Sequence, residues 1–271
     1  MAINDISLTA GMRSNLLQLQ GTTKLTDRTQ ERLSTGKQVN SALDNPTNFF
    51  AAQAHVNRAG DFAIRKDGMG EAIQNVKAAD AGITAITALV TAAKGLAEAA
   101  LGTQVTDDRK AFAAQYDALQ SQITSLAQDS IYRGTNLLNS DNLTVNFNET
   151  GSSNLTVTGF AATASGLSLA AATGDWTDTA SISTDSELMD GALTELRSQS
   201  KSLANNLNII TTRQNFTDAM IGTLQTGADN LTLADMNQEG ANMLMLQTRQ
   251  NLGTTALSLS SQAAQSVLRL F

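Results

Sequence analysis

The sequence predicts a mainly α protein. Long helices from both ends of the chain pair as a coiled coil within a helical bundle, with a small β-hairpin inserted in the centre. Three observations carry this reading. Apolar residues recur at a 3-4 spacing over long stretches near both ends, the period of a helix face. Between residues 143 and 157 the period changes to two, the period of a strand. Aromatics are only 4% of the 271 residues, which suits long helices joined through small and aliphatic side chains.

The first helix is expected from Ile3 to about Leu33. Leu16, Leu19, Thr23, Thr26, Gln30 and Leu33 make a weak 3-4 series, and Ile3, Ile6, Ala10 and Leu17 make a stripe beside it. Such a helix is marginal alone and needs a partner. A loop from Ser34 to Thr47 follows, broken by Gly36 and by Asn45-Pro46, which holds the lone proline. Phe49 to Leu101 reads as one long helix through Ile73, Val76, Ile83, Ile86, Leu89 and Val90. The glycines at 60, 68, 70, 82 and 95 each cost it about 1 kcal/mol relative to alanine. Gly102-Thr103 ends it. Thr106 or Asp107 is placed to cap a third helix, whose face is Phe112, Leu119, Ile123 and Leu126. Ile131 to Leu138 is a loop around Gly134.

The centre is different. From Gly134 to Leu196 there is no Lys or Arg, yet eight acids. Leu143, Val145 and Phe147 alternate with polar residues, and Leu155 and Val157 do so after the turn-rich stretch 149–154, a hairpin signal. Further short strands are expected in Gly166–Ala172 and near Trp176. Helix returns from about Asp185 to about Leu224, and Gly227 to Asp235 breaks it.

The last helix starts at Asp235 or Asn237, with Glu239 in its first turn. Met243, Leu246, Gly253, Leu257, Ala264, Val267 and Phe271 follow a heptad rhythm, with Gln250 and Ser260 at its polar turns. A second series, Leu252, Ala256, Leu259, Ala263 and Leu270, lies beside the first. The result is a wide apolar face where most chain ends are polar. The simplest way to bury both ends is to pair them, which nests the domains like brackets around the centre.

Several classes are disfavoured. A net charge of −7 lacks the basic footprint that nucleic acid requires. With no cysteine there is no disulfide and no thiolate metal site. The N-terminus has no basic segment before an apolar core, so no signal peptide is expected. No run approaches the ~20 apolar residues of a membrane span. The last helix carries only Arg249 and Arg269 as basic residues, too few for an interfacial anchor. His55, the lone histidine, sits between Ala54 and Val56 as a helix-surface or groove residue. There is no zinc-protease motif, P-loop or dinucleotide fingerprint. Gly68-Met-Gly70 lacks the preceding strand and third glycine of a nucleotide loop, and capping accounts for Asp107-Asp108. Met236, Met243 and Met245 read as packing residues. No enzyme, cofactor or metal is expected.

Three separated motifs, in order, carry a family resemblance. Glu31-Arg-Leu-Ser-Thr-Gly-Lys-Gln-Val-Asn-Ser-Ala-Leu-Asp-Asn-Pro46 resembles the signature that ends the first helix of bacterial flagellins; its marked residues are Arg32, Leu33, Gly36, Asn40, Ser41 and Asp44. Ile131 to Leu138 is similar to their loop ending in Gly-x-x-Leu-Leu, here Gly134, Leu137 and Leu138. Ala241 to Arg249, Leu252 to Ser258 and Gln265 to Phe271 resemble the flagellin C-terminus, with Asn242, Gln247, Arg249 and Gly253. The likeness spans roughly the first 140 and last 85 residues.

The resemblance implies a filament subunit that assembles with its own copies into a helical tube, the propeller of a swimming bacterium. It implies an inner coil from 1–33 plus 236–271, assembling through Ile3, Ile6, Leu16, Leu19, Leu33, Met243, Leu246, Leu252, Leu257, Leu259, Val267, Leu270 and Phe271. It implies a rod from 34–139 plus 184–235 and a small surface segment at 140–183. The partners implied are a cap protein, a junction protein and an export chaperone. Transport would be by the flagellar type III route to the outside of the cell. A hook–filament junction protein of the same family is the alternative. Ala92 and Gly95 stand where some relatives carry an arginine and a glutamate read by an animal innate receptor.

Overall fold

The computed structural model describes residues 10–268. Its helices are α1 (Ala10–Thr35), α2 (Pro46–Gly102), α3 (Thr106–Asp129), α4 (Thr179–Thr232) and α5 (Met236–Leu268). Its strands are β1 (Leu143–Asn146) and β2 (Asn154–Val157). The expected mainly α class with a small β insertion is the class observed. The chain divides into two units. One comes from its two ends, up to Arg58 and from Thr223 onward; the other is Ala59–Gly222. α2 and α4 contribute to both.

In the first unit α1 packs on α5. Gly36 stops α1 in the left-handed region at φ 71°, a conformation glycine adopts without a Cβ penalty. Asn45 starts α2: its side-chain oxygen accepts from the Asn48 amide at 3.1 Å, and Pro46 takes the first helical position, where no amide is needed. Asp235 caps α5 by accepting from the amides of Asn237 and Gln238 at 2.9 and 3.1 Å. The two ends are also clipped by backbone. Gln38 and Val39 donate to the Thr232 carbonyl at 2.7 and 3.2 Å, and Ala234 donates to Gly36 at 2.9 Å.

The second unit has one apolar core drawn from α2, α3, the hairpin and α4. Along α2, Ile83, Ile86, Val90, Ala93, Ala97 and Ala100 are buried at helical spacing. By length and hydropathy α2 also passes as a membrane span, contrary to the sequence reading. Alanines lift its average, and 39% of that window is buried inside the protein.

Gly82 has a packing reason that the sequence hid. A Cβ there would lie 2.5 Å from Leu138 Cδ1 and 2.6 Å from Ser130 Oγ, so the glycine lets the loop after α3 close onto α2. Gly82→Ala is expected to lower stability by a net ~1 kcal/mol. Overpacking of roughly 1–3 kcal/mol exceeds the ~1 kcal/mol gained in helix propensity. Thermal melts check this, and a stabilised variant would show that the loop has room to spare.

The hairpin pairs antiparallel, with Leu143 opposite Val157 and Val145 opposite Leu155. Val145 and Val157 face the core, and the Arg213 guanidinium lies 5.2 Å above the Phe147 ring.

Four local expectations need correction. The stretch 166–176 forms turns and a 3-10 turn at Thr173–Trp176. Leu167 and Leu169 are both buried and so mimic a strand, but the backbone reverses between them at Ser168, φ 59°. α4 begins at Thr179, because the Asp178 carboxylate accepts from the Ser181 amide and hydroxyl at 2.9 and 2.7 Å. It then runs through Gly227, where an added Cβ would sit 3.7 Å from the His55 ring; the lone histidine is a packing neighbour of that glycine. Neither Thr106 nor Asp107 caps α3. Val105 holds the cap position without a side-chain bond, and Arg109 Nε donates to the carbonyls of Ala100 and Thr103 at the end of α2.

Candidate functional site

The feature with functional promise is the α1–α5 pair. On α5, Leu246 is buried, and Met243, Gln250, Gly253, Leu257, Ser260 and Ala264 are half-buried. They form one inward line facing α1. The inward line of α1 is Met12, Leu16, Leu19, Thr22, Thr26, Thr29 and Leu33. Thr23 and Gln30, read as inward from the sequence, are exposed; Thr22 and Thr29 take their places. Gly253 allows a close approach, since a Cβ there would be 2.9 Å from Leu19 Cδ1. One end of the pair is locked by Arg32 and Glu239 at 2.8 Å, with side chains 15% and 8% exposed. Ile3, Ile6, Leu270 and Phe271 lie outside the described residues, as does the side chain of Val267.

The second series has no cover in the described structure. Leu252 is 65% exposed and Leu259 61%, and Ala256 and Ala263 are exposed beside them. Met245, also exposed, precedes Leu252 by the same seven residues that separate Leu252 from Leu259. All three therefore share one line along α5. Leu252 and Ala256 border a groove of about 610 Å³ whose other wall is Gln18, Gly21 and Leu25 of α1. Leu25 is itself exposed, and so is Leu17. Gln247 and Arg249 are exposed and Asn242 half-buried. The apolar face of α5 is thus split: one half meets α1, and the other half lines an open groove.

The remaining signature residues fall in two places. Gly36, Asn40, Ser41 and Asp44 build the link between α1 and α2. One Asp44 oxygen accepts from the amides of Asn40 and Ser41 at 3.1 and 2.9 Å and from the Ser41 hydroxyl at 3.1 Å. The Ser41 amide, then the Asn40 amide, hold the Asp44 carboxyl below the usual carboxylate range. Its support for the turn is therefore full above the unfolded value near 3.8 and is lost as pH falls through the lower folded value. The protection of the Asn40 and Ser41 amides, relative to a free chain at the same pH, is expected to fall in that acid window, and Asp44→Asn to remove the acid dependence of that protection. Amide exchange by NMR checks both.

Gly134, at φ 84°, and the buried pair Leu137 and Leu138 belong to the second unit. The residue that sequence reasoning missed there is Asn136. Its side-chain amide donates to the carbonyls of Ala127 and Gln128 at 2.8 and 3.0 Å, and its oxygen accepts from the Leu138 amide at 3.0 Å. A small polar residue just past a helix end was the available signal. A second hollow, about 280 Å³, is lined in part by Glu71, whose carboxylate is already held by Tyr132 and Arg133 at 3.0 and 2.9 Å. Among the described residues no group of three His, Cys, Asp or Glu is placed to hold a metal ion.

The family model for the bacterial flagellin N-terminal helical region matches residues 3–143. Over the full length of both chains the sequence is 31% identical to flagellin FljM of Caulobacter vibrioides. The chain belongs to the flagellin family. It is also 26% identical to a flagellin of Brucella melitensis, across 99% of this chain and 97% of that one. A crystal structure of Bacillus cereus flagellin overlays 55% of this chain and 88% of its own, with a TM-score of 0.47 and 18% identity. As a flagellin the chain is a structural protein and not an enzyme, a subunit of the bacterial flagellar filament.

Proposed function

We propose that this flagellin polymerises through its terminal helices into a helical tube that serves as the propeller for swimming. The observation that carries the reading is the bare line of Met245, Leu252 and Leu259 beside the α1–α5 groove. A large aliphatic side chain gains roughly 1.5–3 kcal/mol when fully buried, and α5 leaves this line uncovered. A neighbouring copy is the natural cover, because a homopolymer is built from one surface meeting a different surface of the next copy without ring closure. The inner coil is then 1–33 with 236–271, the rod 34–139 with 184–235, and the outer segment 140–183. The proposal extends to a flagellar cap, a junction protein and an export chaperone as partners, and to secretion before assembly outside the cell. The junction-protein alternative has no observation in its favour.

Deleting Leu252–Phe271 tests the reading. The full chain is expected to give long tubes under the electron microscope. The truncated chain is expected to give none while keeping the far-ultraviolet circular dichroism of a helical protein. Normal tubes from the truncated chain would sink the proposal.

A further inference from the structure

The methionines sort by position. Met69 and Met189 are 0% exposed and Met12 is 7%, while Met220 and Met243 are half-buried. Met236 and Met245 are 47% and 45% exposed. Both stand on α5, but they are nine residues apart, which turns them to opposite sides of the helix. Only Met245 of the two continues the line of Leu252 and Leu259.

We infer that Met245 is an oxidation-sensitive gate on assembly: a peroxide converts its thioether to the sulfoxide, and the marked subunit stops adding to the polymer. This rests on the assembly reading above. The sulfur attacks one oxygen of the peroxide O–O bond and forms an S–O bond. It is oxidised by two electrons; the peroxide is reduced, and its other oxygen leaves as water, or as an alcohol from an alkyl peroxide. An apolar, flexible side chain becomes a polar one with a strong acceptor. In free solution water satisfies that acceptor. Covered by a neighbour's apolar groups it has no donor, and the cost falls on assembly alone. Burial protects Met69 and Met189 in the same molecule, and assembly itself would protect Met245, so the gate acts on subunits still waiting to add. Sulfoxide reductases make the change reversible.

The test treats the full chain, held monomeric, with a limiting dose of hydrogen peroxide. Peptide mass spectrometry reads sulfoxide at each methionine, and sedimentation reads the critical concentration for polymerisation. Met245 is expected to oxidise at least tenfold faster than Met69 or Met189. The critical concentration is expected to rise about tenfold or more and to recover with sulfoxide reductase. M245L, which keeps size and apolarity, is expected to show the same critical concentration before and after the dose. The inference is overturned if Met245 oxidises no faster than Met69, or if M245L loses assembly as fully as the parent chain. Should untreated chain polymerise and oxidised chain polymerise equally well, the gate falls and the assembly reading stands. Should untreated chain never polymerise, both fall.

Discussion

Replacing Leu252 and Leu259 together by glutamine is expected to raise the critical concentration for filament growth roughly 10²- to 10⁴-fold while leaving the monomer's melting temperature almost unmoved. The split follows from where the two leucines sit. At 65% and 61% exposed they contribute little to the isolated fold, so their loss there stays within about 0.5 kcal/mol. In a polymer that covers them, each forfeits roughly 1.5–3 kcal/mol of apolar burial, together about 3–6 kcal/mol, and each 1.4 kcal/mol is tenfold in affinity. Leu246→Gln is the contrasting control. Leu246 is 4% exposed and faces α1, so it is expected to destabilise the monomer itself. Sedimentation of assembled protein and thermal melts of the monomer separate the two cases. Polymerisation of the double variant at the parent concentration would remove this line from the interface.

The largest expected effect on the second unit comes from Asp185→Ala. Asp185 is 1% exposed. It accepts from Trp176 Nε1 at 2.7 Å, from the Thr173 amide at 2.9 Å and from the Thr173 hydroxyl at 2.8 Å. These bonds hold a segment whose backbone is left-handed at Asp175 and Trp176, φ 51° and 55°, and they seat Trp176 on Tyr116 with ring centroids 5.0 Å apart. Removing the carboxylate strands the buried Trp176 Nε1 at about 1–3 kcal/mol and breaks two bonds to Thr173, an exposed residue whose donors water can satisfy, at about 0.5–1.5 kcal/mol each. Relief of a buried charge offsets part of that, for a net loss of about 2–3 kcal/mol. Asp185→Asn keeps one acceptor oxygen and is expected to cost about half as much. Trp176 is the lone tryptophan, so its fluorescence in urea reports this unit directly. Equal losses for the alanine and asparagine variants would show that something other than hydrogen bonding holds the segment.

The parts of this fold that were legible in sequence are those where hydropathy contrast is high. On α5 the inward line runs through Met243, Leu246 and Leu257, with Gly253 between them, and the rhythm fixed both the helix and its face. On α1 the same rhythm slipped by one residue, because Thr22 and Thr23, or Thr29 and Gln30, differ too little in apolarity to mark a side. The hairpin was legible through the alternation of Leu143, Val145 and Phe147. The stretch 166–176 was not, because a turn that buries Leu167 and Leu169 leaves the same alternating trace as a strand. Glycines misled in both directions. Gly227 read as a break, yet it lies inside α4 beside His55; Gly82 read as a cost, yet it admits Leu138. Capping was legible at Asp235, whose carboxylate precedes an apolar series, and illegible at Asp178, where Ile182 stands alone among polar residues before the series thickens at Leu188. The split of the α5 face into covered and bare halves was foreshadowed by its two parallel series. Hydropathy does not mark which half α1 covers, since both series contain leucine and alanine.

The lock between Arg32 and Glu239 joins residues 207 positions apart. A ribosome adding about 5–20 residues per second needs roughly 10–40 s to travel that distance. Throughout this interval α1 exists without the helix it packs on, and a lone helix of its length is barely stable. The α1–α5 pair therefore has no nascent form: its fold becomes available only once the ribosome has passed Glu239. Each newly made chain passes through a timed window, set by the 207-residue separation and translation speed, in which α1 still lacks its partner. A slower ribosome would widen the window, and moving the α5 sequence next to α1 by circular permutation would close it.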